Sequence, residues 1–188
     1  MTVWVDALGF HLEFETDEGL FSPRGLDRGT RAMLEQTRIL PGMRVLDLGC
    51  GWGAVGVLAA KIAGEENVVM ADCDPLAVEI ARENARRNGV AGVRVYQSEG
   101  FSGIPEAGFD SILSNPPYQT DFQVAKGFIL KGFNRLKLGG EMTLVVKRRN
   151  WYANKLASVF GGVTVREADG YFVMTAQRRS VCYAAKPR

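Results

Sequence analysis

A strand that runs directly into a glycine-rich loop constrains the fold of this 188-residue chain more than any other feature. Residues 44–48 are Arg-Val-Leu-Asp-Leu, and residues 49–53, the glycine loop, are Gly-Cys-Gly-Trp-Gly. Residues 54–63 are rich in alanine, valine and leucine and are predicted to form a helix. Glycines permit the tight turn between the two elements and let backbone N–H groups approach a ligand closely. A buried strand, a ligand-binding loop and a helix are therefore expected here.

Predicted strands and helices alternate from residue 44 to residue 161. Further strands are predicted over residues 67–72, 93–96, 109–114 and 141–146, with helices over residues 74–89, 122–136 and 151–160. Asp74 can cap the first of these helices, with Pro75 at its first position. The glycines at positions 139 and 140 are expected to separate the second helix from the strand at residues 141–146. Residues 163–165 and 171–176 indicate a closing antiparallel strand pair. This alternation is typical of a doubly wound, mostly parallel sheet with helices packed against it.

The whole chain is expected to form one domain, which its length fits. Residues 1–40 contain one or two short strands, a loop at residues 19–25 with two glycines and a proline, and a first helix. Asp27 can cap that helix, which runs to about Arg38. We expect this segment to cover the substrate and cofactor as part of the same domain as the core, residues 41–188.

Composition excludes several classes of protein. Hydrophobic residues are 46% and charged residues 23% of the chain, which is ordinary for a globular protein. No long uncharged apolar run indicates a membrane span, and no signal peptide is expected. The three cysteines Cys50, Cys73 and Cys182 are far apart, and there is one histidine, so neither a disulfide framework nor a metal site is expected. A reducing cytoplasm fits this cysteine usage best.

The sequence Asn-Pro-Pro-Tyr at residues 115–118 follows the predicted strand at residues 109–114. Two prolines after a strand end it and stiffen the chain, so an amide is held at the carboxyl edge, where open α/β sheets bind ligands. The Asn115 amide oxygen can accept a hydrogen from an amino group, and the Tyr118 ring can stack on a flat base. The alternative interpretation is a proline-rich turn without a chemical role.

Two acidic residues are positioned where a nucleoside is expected to bind. Asp47 lies inside the strand before the glycine loop, and Asp72 ends the next strand, where a carboxylate can accept from both ribose hydroxyls. Residues 51–56 also match the dinucleotide pattern G-x-G-x-x-G, which has low specificity. These features fit any nucleoside-bearing cofactor. A nucleotide-binding module or an NAD-dependent enzyme is therefore an alternative of another class, although hydride transfer has no use for Asn-Pro-Pro-Tyr.

The net charge is only +2, but the basic residues are unevenly spread. Residues 121–160 contain eight basic and two acidic side chains, an excess of six positive charges: Lys126, Lys131, Arg135, Lys137, Lys147, Arg148, Arg149 and Lys155 against Asp121 and Glu141. The C-terminal segment adds Arg178, Arg179, Lys186 and Arg188. Solvated helix faces are one interpretation, and an anionic partner such as RNA is the other.

Four motifs, in order, resemble those of class I S-adenosylmethionine-dependent methyltransferases. Residues 45–53 resemble the first motif, and Asp72 followed by Asp-Pro at residues 74–75 resembles the second. Ser-Glu-Gly-Phe at residues 98–101 resembles the acidic turn that faces the adenine. Asn-Pro-Pro-Tyr resembles the fourth motif of enzymes that methylate planar amino nitrogens.

Two further segments narrow the resemblance. Residues 19–27 and Gly-Tyr-Phe at residues 170–172 are similar to the ends of the "methyltransferase small domain" group, typified by 16S ribosomal RNA guanine-N2 methyltransferases. The resemblance covers roughly residues 10–180. The best-known bacterial members carry a second, degenerate copy of the domain at their N-terminus, and no such copy is expected within these 188 residues. A homodimer that substitutes for that copy is left open.

The resemblance implies a Rossmann-like class I methyltransferase fold: a mostly parallel seven-stranded sheet, helices on both faces and a C-terminal antiparallel strand pair. It implies S-adenosylmethionine as the cofactor and methyl transfer to an exocyclic amino nitrogen of an RNA base. Guanine N2 of ribosomal RNA, naked or in a ribosomal subunit, is the expected target, in rRNA processing. Adenine-N6 nucleic-acid methyltransferases and protein-glutamine N5 methyltransferases share Asn-Pro-Pro-Tyr and stay open as alternatives.

The resemblance also implies roles for individual residues. The expected cofactor-binding residues are Asp47, Gly49, Cys50, Gly51, Asp72, Cys73, Glu99 and Asn115. The expected catalytic residues are Asn115 and Pro116, whose side-chain and backbone oxygens accept from the target amine, and Tyr118, which stacks on the base. The expected substrate-binding residues are Phe21 and Pro117. The charge excess adds Lys147, Arg148 and Arg149, which leave the strand at residues 141–146 at the cofactor edge of the sheet. Phe21 as a lid or as a packing residue, and Trp52 as a cofactor contact or as a packing residue, are alternatives that the sequence leaves open.

Overall fold

The structure is a computed structural model that describes residues 1–118 and 122–184. Its N-terminal half contains β1 Thr2–Ala7, β2 Phe10–Glu15, α1 Arg28–Gln36, β3 Val45–Leu48, α2 Ala54–Ala63, β4 Val68–Asp72, α3 Pro75–Arg87 and β5 Arg94–Gln97. Its C-terminal half contains β6 Phe109–Ser114, α4 Phe122–Arg135, β7 Leu136–Val146, α5 Arg149–Phe160, β8 Thr164–Ala168 and β9 Tyr171–Gln177. Three residues of the predicted charge pattern, Asp121, Lys186 and Arg188, lie outside the described residues.

The central sheet has the strand order β5-β4-β3-β6-β7-β9-β8. The first five strands are parallel, and β9 pairs antiparallel with both β7 and β8. The order reverses between β3 and β6, and β1 and β2 form a separate antiparallel hairpin. The predicted mostly parallel sheet of seven strands with a C-terminal antiparallel pair is confirmed.

Helices cover both faces of the sheet, as predicted. One apolar layer contains side chains of α1, α2 and α3, and the other contains side chains of α4 and α5. All four residues of β3 are buried, which accounts for its nearly continuous apolar sequence. Helix α2 packs closely because Gly56 has no side chain: a Cβ there would lie 2.2 Å from Cγ of Met70 on β4.

The helix starts follow the predicted capping residues. The Asp27 carboxylate accepts from the Thr30 backbone N–H at 3.1 Å and caps α1. The Asp74 carboxylate accepts from the Leu76 N–H at 2.9 Å, and Pro75 occupies the first position of α3. None of the helices in the described ranges is long and apolar enough to cross a lipid bilayer.

Strand β7 begins at Leu136, five residues before the predicted start. The glycines at positions 139 and 140, which were predicted to separate helix from strand, lie inside it. The pairing of β6 with β7 shifts register between Phe109 and Ser111. A Cβ on Gly140 would lie 2.6 Å from the Phe109 carbonyl oxygen, so this irregular pairing needs a residue without a side chain.

The N-terminal hairpin contacts the core through a fully buried amide. Asn84 on α3 accepts from the Glu15 N–H at 2.7 Å and donates to the Glu15 carbonyl at 2.8 Å. The same amide nitrogen donates to the Trp52 carbonyl at 2.7 Å, in the glycine loop. We propose on this basis that residues 1–40 belong to the same domain as the sheet.

Candidate active site

A cavity of about 750 Å³ lies at the carboxyl ends of β3, β4 and β6, at the point where the strand order reverses. Twelve of the predicted site residues line it: Phe21, Asp47, Gly49, Cys50, Gly51, Asp72, Cys73, Glu99, Asn115, Pro116, Pro117 and Tyr118. The structure thus brings together residues from segments almost 100 positions apart in the sequence. Lys147, Arg148 and Arg149 do not line the cavity; they follow the end of β7.

Backbone hydrogen bonds hold the glycine loop over the end of β4. The Gly49 and Cys50 N–H groups both donate to the Ala71 carbonyl, at 2.8 and 3.0 Å. Gly49 and Gly51 have φ values of +75° and +53°, which glycine adopts without strain. Apart from the adjacent residues in the chain, no atom of residues 1–118 or 122–184 lies within 4 Å of a Cβ placed on either glycine, so their backbone borders open space.

Asp72 fixes both the glycine loop and the turn into α3. One of its carboxylate oxygens accepts from the Gly51 N–H at 2.8 Å, and the other accepts from the Asp74 N–H at 3.0 Å. Each carboxylate oxygen has two lone-pair positions, so both oxygens retain one acceptor position. Asp72 is only partly buried, and those positions are available to the hydroxyls of a ribose.

Asp47 lies in β3, just before the glycine loop, and is only 3% exposed. Its Oδ2 accepts from the Gly56 N–H at 2.8 Å, in the first turn of α2. Burial raises the pKa of Asp47 to about 7; the Gly56 hydrogen bond opposes this rise and the nearby Asp72 charge adds to it. Asp47 therefore titrates near neutral pH in the folded protein.

Both the nitrogen and the oxygen of the Asn115 side-chain amide form hydrogen bonds with other side chains. Its Nδ2 donates to Asp27 Oδ2 at 3.2 Å and to Thr30 Oγ1 at 3.0 Å. Its Oδ1 accepts from the Tyr118 hydroxyl at 2.6 Å. Burial raises the pKa of Tyr118 well above its usual range, and the Asp27 charge raises it further, so this hydroxyl remains a donor at physiological pH.

Aromatic residues surround the Asn-Pro-Pro-Tyr segment. The Phe21 ring is 54% exposed, and its centroid lies 6.2 Å from that of Tyr118. The Trp52 indole N–H donates to the Phe21 carbonyl at 3.2 Å, while the Trp52 ring is buried edge-on against Phe14. Trp52 therefore packs against the core and also lines the cavity, and its N–H fixes the loop whose Phe21 ring borders that cavity.

The basic residues of the C-terminal half do not form one surface. Lys147 Nζ lies 5.3 Å from the ring centroids of both Tyr118 and Tyr171, next to the cavity. Arg135 instead donates to backbone carbonyls of the segment before β6, and Lys137 pairs with Asp110 at the start of β6. These last two lie at the opposite edge of the sheet, and each has a partner within the protein.

Sequence reasoning missed part of the site. The sequence predicts a helix cap at Asp27 and indicates no role in the site for Thr30 or Tyr171. All three belong to one hydrogen-bonded group with Asn115, because the Tyr171 hydroxyl also donates to Asp27, at 3.2 Å. Asp27 and Asn115 lie 88 positions apart in the sequence, so no local signal indicates this contact.

The chain is similar to known proteins over most of its length. The family model described as methyltransferase small domain matches residues 11–176. The uncharacterized protein YbxB of Bacillus subtilis is 33% identical over 173 residues, which cover 88% of this chain and 85% of that protein. The ribosomal RNA small subunit methyltransferase C of Pseudomonas putida is 34% identical over 165 residues, which cover 85% of this chain and 49% of that protein. The chain thus spans about half the length of the methyltransferase C relatives.

Solved structures of methyltransferases are similar to this chain over most of its length. The 16S rRNA N2 methyltransferase RsmC of T. thermophilus, in complex with AdoMet and guanosine, superposes with a TM-score of 0.85 at 28% identity. The match covers 95% of this chain and 50% of that one. A methyltransferase of Pyrococcus furiosus superposes with a TM-score of 0.66 at 23% identity, over 87% of this chain and 91% of that one, and shares the fold.

The titration of Asp47 predicts a pH dependence of stability. Between its usual pKa of 3.8 and its folded pKa of about 7, the folded state holds a proton that the unfolded state has lost. The free energy of unfolding therefore falls as the pH rises through this window, by about 1.4 kcal/mol per unit of pKa difference. Asp47→Asn removes this dependence, which denaturant unfolding at a series of pH values from 4 to 8 measures.

Asp110→Asn is the matched control, because Asp110 titrates below this pH range and the variant should keep the pH dependence of the wild type between pH 4 and 8. Burial raises the pKa of Asp110, but Lys137 and the Arg44 N–H outweigh burial and hold the pKa below its usual value. The stability that Asp110 contributes is therefore present above that usual value and lost in acid. Equal pH dependence in the wild type and Asp47→Asn would contradict the assignment of Asp47.

Proposed function

Because the chain belongs to the methyltransferase small domain family, we propose that it transfers a methyl group from S-adenosylmethionine to guanine N2 of ribosomal RNA. The observation that carries this proposal is the Asn115 amide oxygen beside the glycine loop in one cavity. The names of the methyltransferase C relatives support ribosomal RNA as the substrate, and the AdoMet and guanosine of the T. thermophilus complex support this cofactor and base.

The chain's own residues suit S-adenosylmethionine. Asp72 has acceptor positions for the two ribose hydroxyls, and the open backbone at Gly49 and Gly51 allows close approach of the nucleoside. Exposed Glu99 follows β5 at the side proposed for the adenine. Cys50, Cys73 and Asp47 are proposed to contact the cofactor as residues that line the cavity. Asp47 also accepts from the first turn of α2. The bound cofactor supplies an electrophilic methyl group on its sulfonium.

Asn115 is proposed to orient the amine that receives the methyl group. Its amide oxygen has two acceptor positions, of which the Tyr118 hydroxyl takes one. The second accepts an N–H of the target amine, and the Pro116 carbonyl accepts the other N–H. The nitrogen lone pair then points along the line of transfer, so most of the acceleration comes from orientation and electrostatics.

Tyr118, Phe21 and Pro117 are proposed to hold the base. The two aromatic rings border the cavity mouth, where a flat base can stack on one of them. A guanine within a helix must first be turned out of its stack, or be unpaired already. The proline pair stiffens the backbone that carries the Tyr118 ring.

The product of the reaction tests this function. The protein and methyl-labelled S-adenosylmethionine are incubated in three separate reactions with small ribosomal subunits, with naked ribosomal RNA or with a release factor. The release factor tests the protein-glutamine alternative, because glutamine-N5 methyltransferases act on release factors. N2-methylguanosine in digested RNA is the expected product. N6-methyladenosine or N5-methylglutamine would replace the proposed substrate by one of the alternatives. Absence of label from all three, with a protein that binds S-adenosylmethionine, would contradict the function.

Asn115→Ala should slow methyl transfer by about 10²-fold or more, the scale for one oriented polar contact at a reacting centre. The fold should persist because the two prolines still shape the turn. Single-turnover assays at saturating cofactor and RNA separate the chemical step from binding. Asn115→Asp keeps an acceptor but adds a charge, so partial activity supports the hydrogen-bond role. Exposed Asn154 on α5 provides the control Asn154→Ala. A wild-type rate in Asn115→Ala would reduce Asn-Pro-Pro-Tyr to a structural turn.

Lys147, Arg148 and Arg149 are proposed to contact RNA phosphates, since all three are exposed where β7 leaves the cavity edge. Replacing them together by alanine should reduce the slope of log affinity against log salt by about 2, at roughly 0.7–0.9 per lost phosphate contact. Filter binding of ribosomal RNA at a series of salt concentrations measures this slope. The control variant replaces exposed Lys61, Arg86 and Arg166, which removes the same charge elsewhere. Equal slopes in the two variants would leave these charges as a solvated face.

A further inference from the structure

We propose that Asp27 is a positioning residue for methyl transfer: its carboxylate fixes the side-chain amide of Asn115 with the oxygen turned toward the target amine. This inference rests on the proposed function and adds a residue that acts through Asn115. It is drawn from the group of side chains that joins the start of α1 to the end of β6.

The Asp27 carboxylate is the shared acceptor of this group. Its Oδ2 accepts from the Thr30 backbone N–H at 3.1 Å and from Asn115 Nδ2 at 3.2 Å. Its Oδ1 accepts from the Tyr171 hydroxyl at 3.2 Å. A helix cap needs only the first of these bonds, so the other two require a further explanation.

The chemistry of the partners determines which way the Asn115 amide faces. An ionised carboxylate can only accept hydrogen bonds, so the amide atom beside Asp27 must be the nitrogen. The second hydrogen of that nitrogen is directed to Thr30 Oγ1 at 3.0 Å. Both amide hydrogens are then used, and Oδ1 necessarily lies on the other side, where the Tyr118 hydroxyl donates to it.

The surroundings keep Asp27 in place. Thr30 is 8% exposed, and Tyr171 is 6% exposed. The Tyr171 ring lies against the first turn of α1, where a Cβ on Gly29 would come within 2.6 Å of it. The absence of a side chain at Gly29 therefore allows the Tyr171 hydroxyl to reach the carboxylate. Packing and hydrogen bonds of this kind hold a catalytic side chain in one orientation.

If the Asn115 amide can rotate, its oxygen no longer faces the target amine. In an Asp27→Asn variant, the side chain at position 27 still caps the helix, because asparagine and aspartate are equally good N-caps. It offers one acceptor oxygen in place of two and adds an N–H₂ group that competes for partners. The Asn115 amide then samples the reverse orientation, in which it presents hydrogens rather than an acceptor to the target amine.

The first measurement needs neither cofactor nor RNA. In ¹⁵N NMR spectra of the free protein, the Asn115 side-chain amide pair is identified by its loss in Asn115→Ala. In Asp27→Asn this pair should shift and exchange faster with water, because it has lost a charged acceptor. In the control Asp110→Asn, which removes a carboxylate from the other end of β6, it should not change. An unchanged Asn115 pair in Asp27→Asn would overturn the proposal, whatever the substrate proves to be.

The second measurement is single-turnover methylation at saturating cofactor and RNA. Asp27→Asn should reduce the rate by about 10- to 100-fold, the scale for a displaced reacting group, with cofactor affinity unchanged. In an Asn115→Ala background the same substitution should have no further effect, because the residue through which it acts is absent. An equal rate loss in both backgrounds, or a wild-type rate in the single variant, would overturn the proposal.

Asp27→Ser is the second variant, for the case that Asp27→Asn does not fold. Serine is also a good N-cap, but it is too short to serve Thr30, Asn115 and Tyr171 together. It should give the same NMR and kinetic result. If the wild type methylates none of the substrates, the proposed function fails, while the NMR comparison still decides whether Asp27 fixes the amide.

Discussion

The site depends on the parallel pairing of the two central strands, which a buried hydrogen bond joins at the edge of the sheet where the cavity lies. The Ser114 hydroxyl, at the end of β6, donates to the Leu48 carbonyl, at the end of β3, at 2.6 Å. The two strands are parallel, with Asp47 opposite Leu113. They therefore end side by side, and the chain leaves one as the glycine loop and the other as Asn-Pro-Pro-Tyr. Because the strand order reverses between them, helices on opposite faces leave this crevice open.

The two sides of the crevice are fixed by different means before any ligand arrives. Backbone N–H groups and Asp72 hold the glycine loop, whereas side chains from α1 and β9 hold Asn115 through Asp27. A ligand that enters such a site orders few protein groups, so less of its binding free energy is lost to conformational entropy. The same rigidity favours a reaction that depends on orientation. The rigid crevice therefore suits the proposed reaction, which depends on the orientation of its groups.

The sequence was sufficient for the features that depend on local chemistry, and insufficient for those that depend on contacts between distant residues. Apolar runs and caps at Asp27 and Asp74 predicted the strands and helices, and the motifs at the ends of β3, β4 and β6 predicted the lining of the cavity. The first part of β7 was missed, because its two glycines are typical of a turn and only pairing with β6 makes them a strand. The ion pair of Lys137 with Asp110 joins two strands, so a count of charges along the sequence gives no sign that Lys137 has a partner within the protein.

The contact between Lys147 and Tyr118 is compatible with a base stacked on that tyrosine. The ammonium group lies 5.3 Å from the centroid of the Tyr118 ring, and Lys147 is exposed. A cation–π contact at an exposed site is worth about 0.5–1 kcal/mol, whereas base–aromatic stacking is worth about 1–3 kcal/mol per base. A base that needs the face covered by the ammonium therefore displaces it at a net gain. The released ammonium remains within reach of Tyr171, at the edge where the phosphates of the same RNA are proposed to lie. Lys147 therefore covers one face of the Tyr118 ring without preventing a base from stacking there.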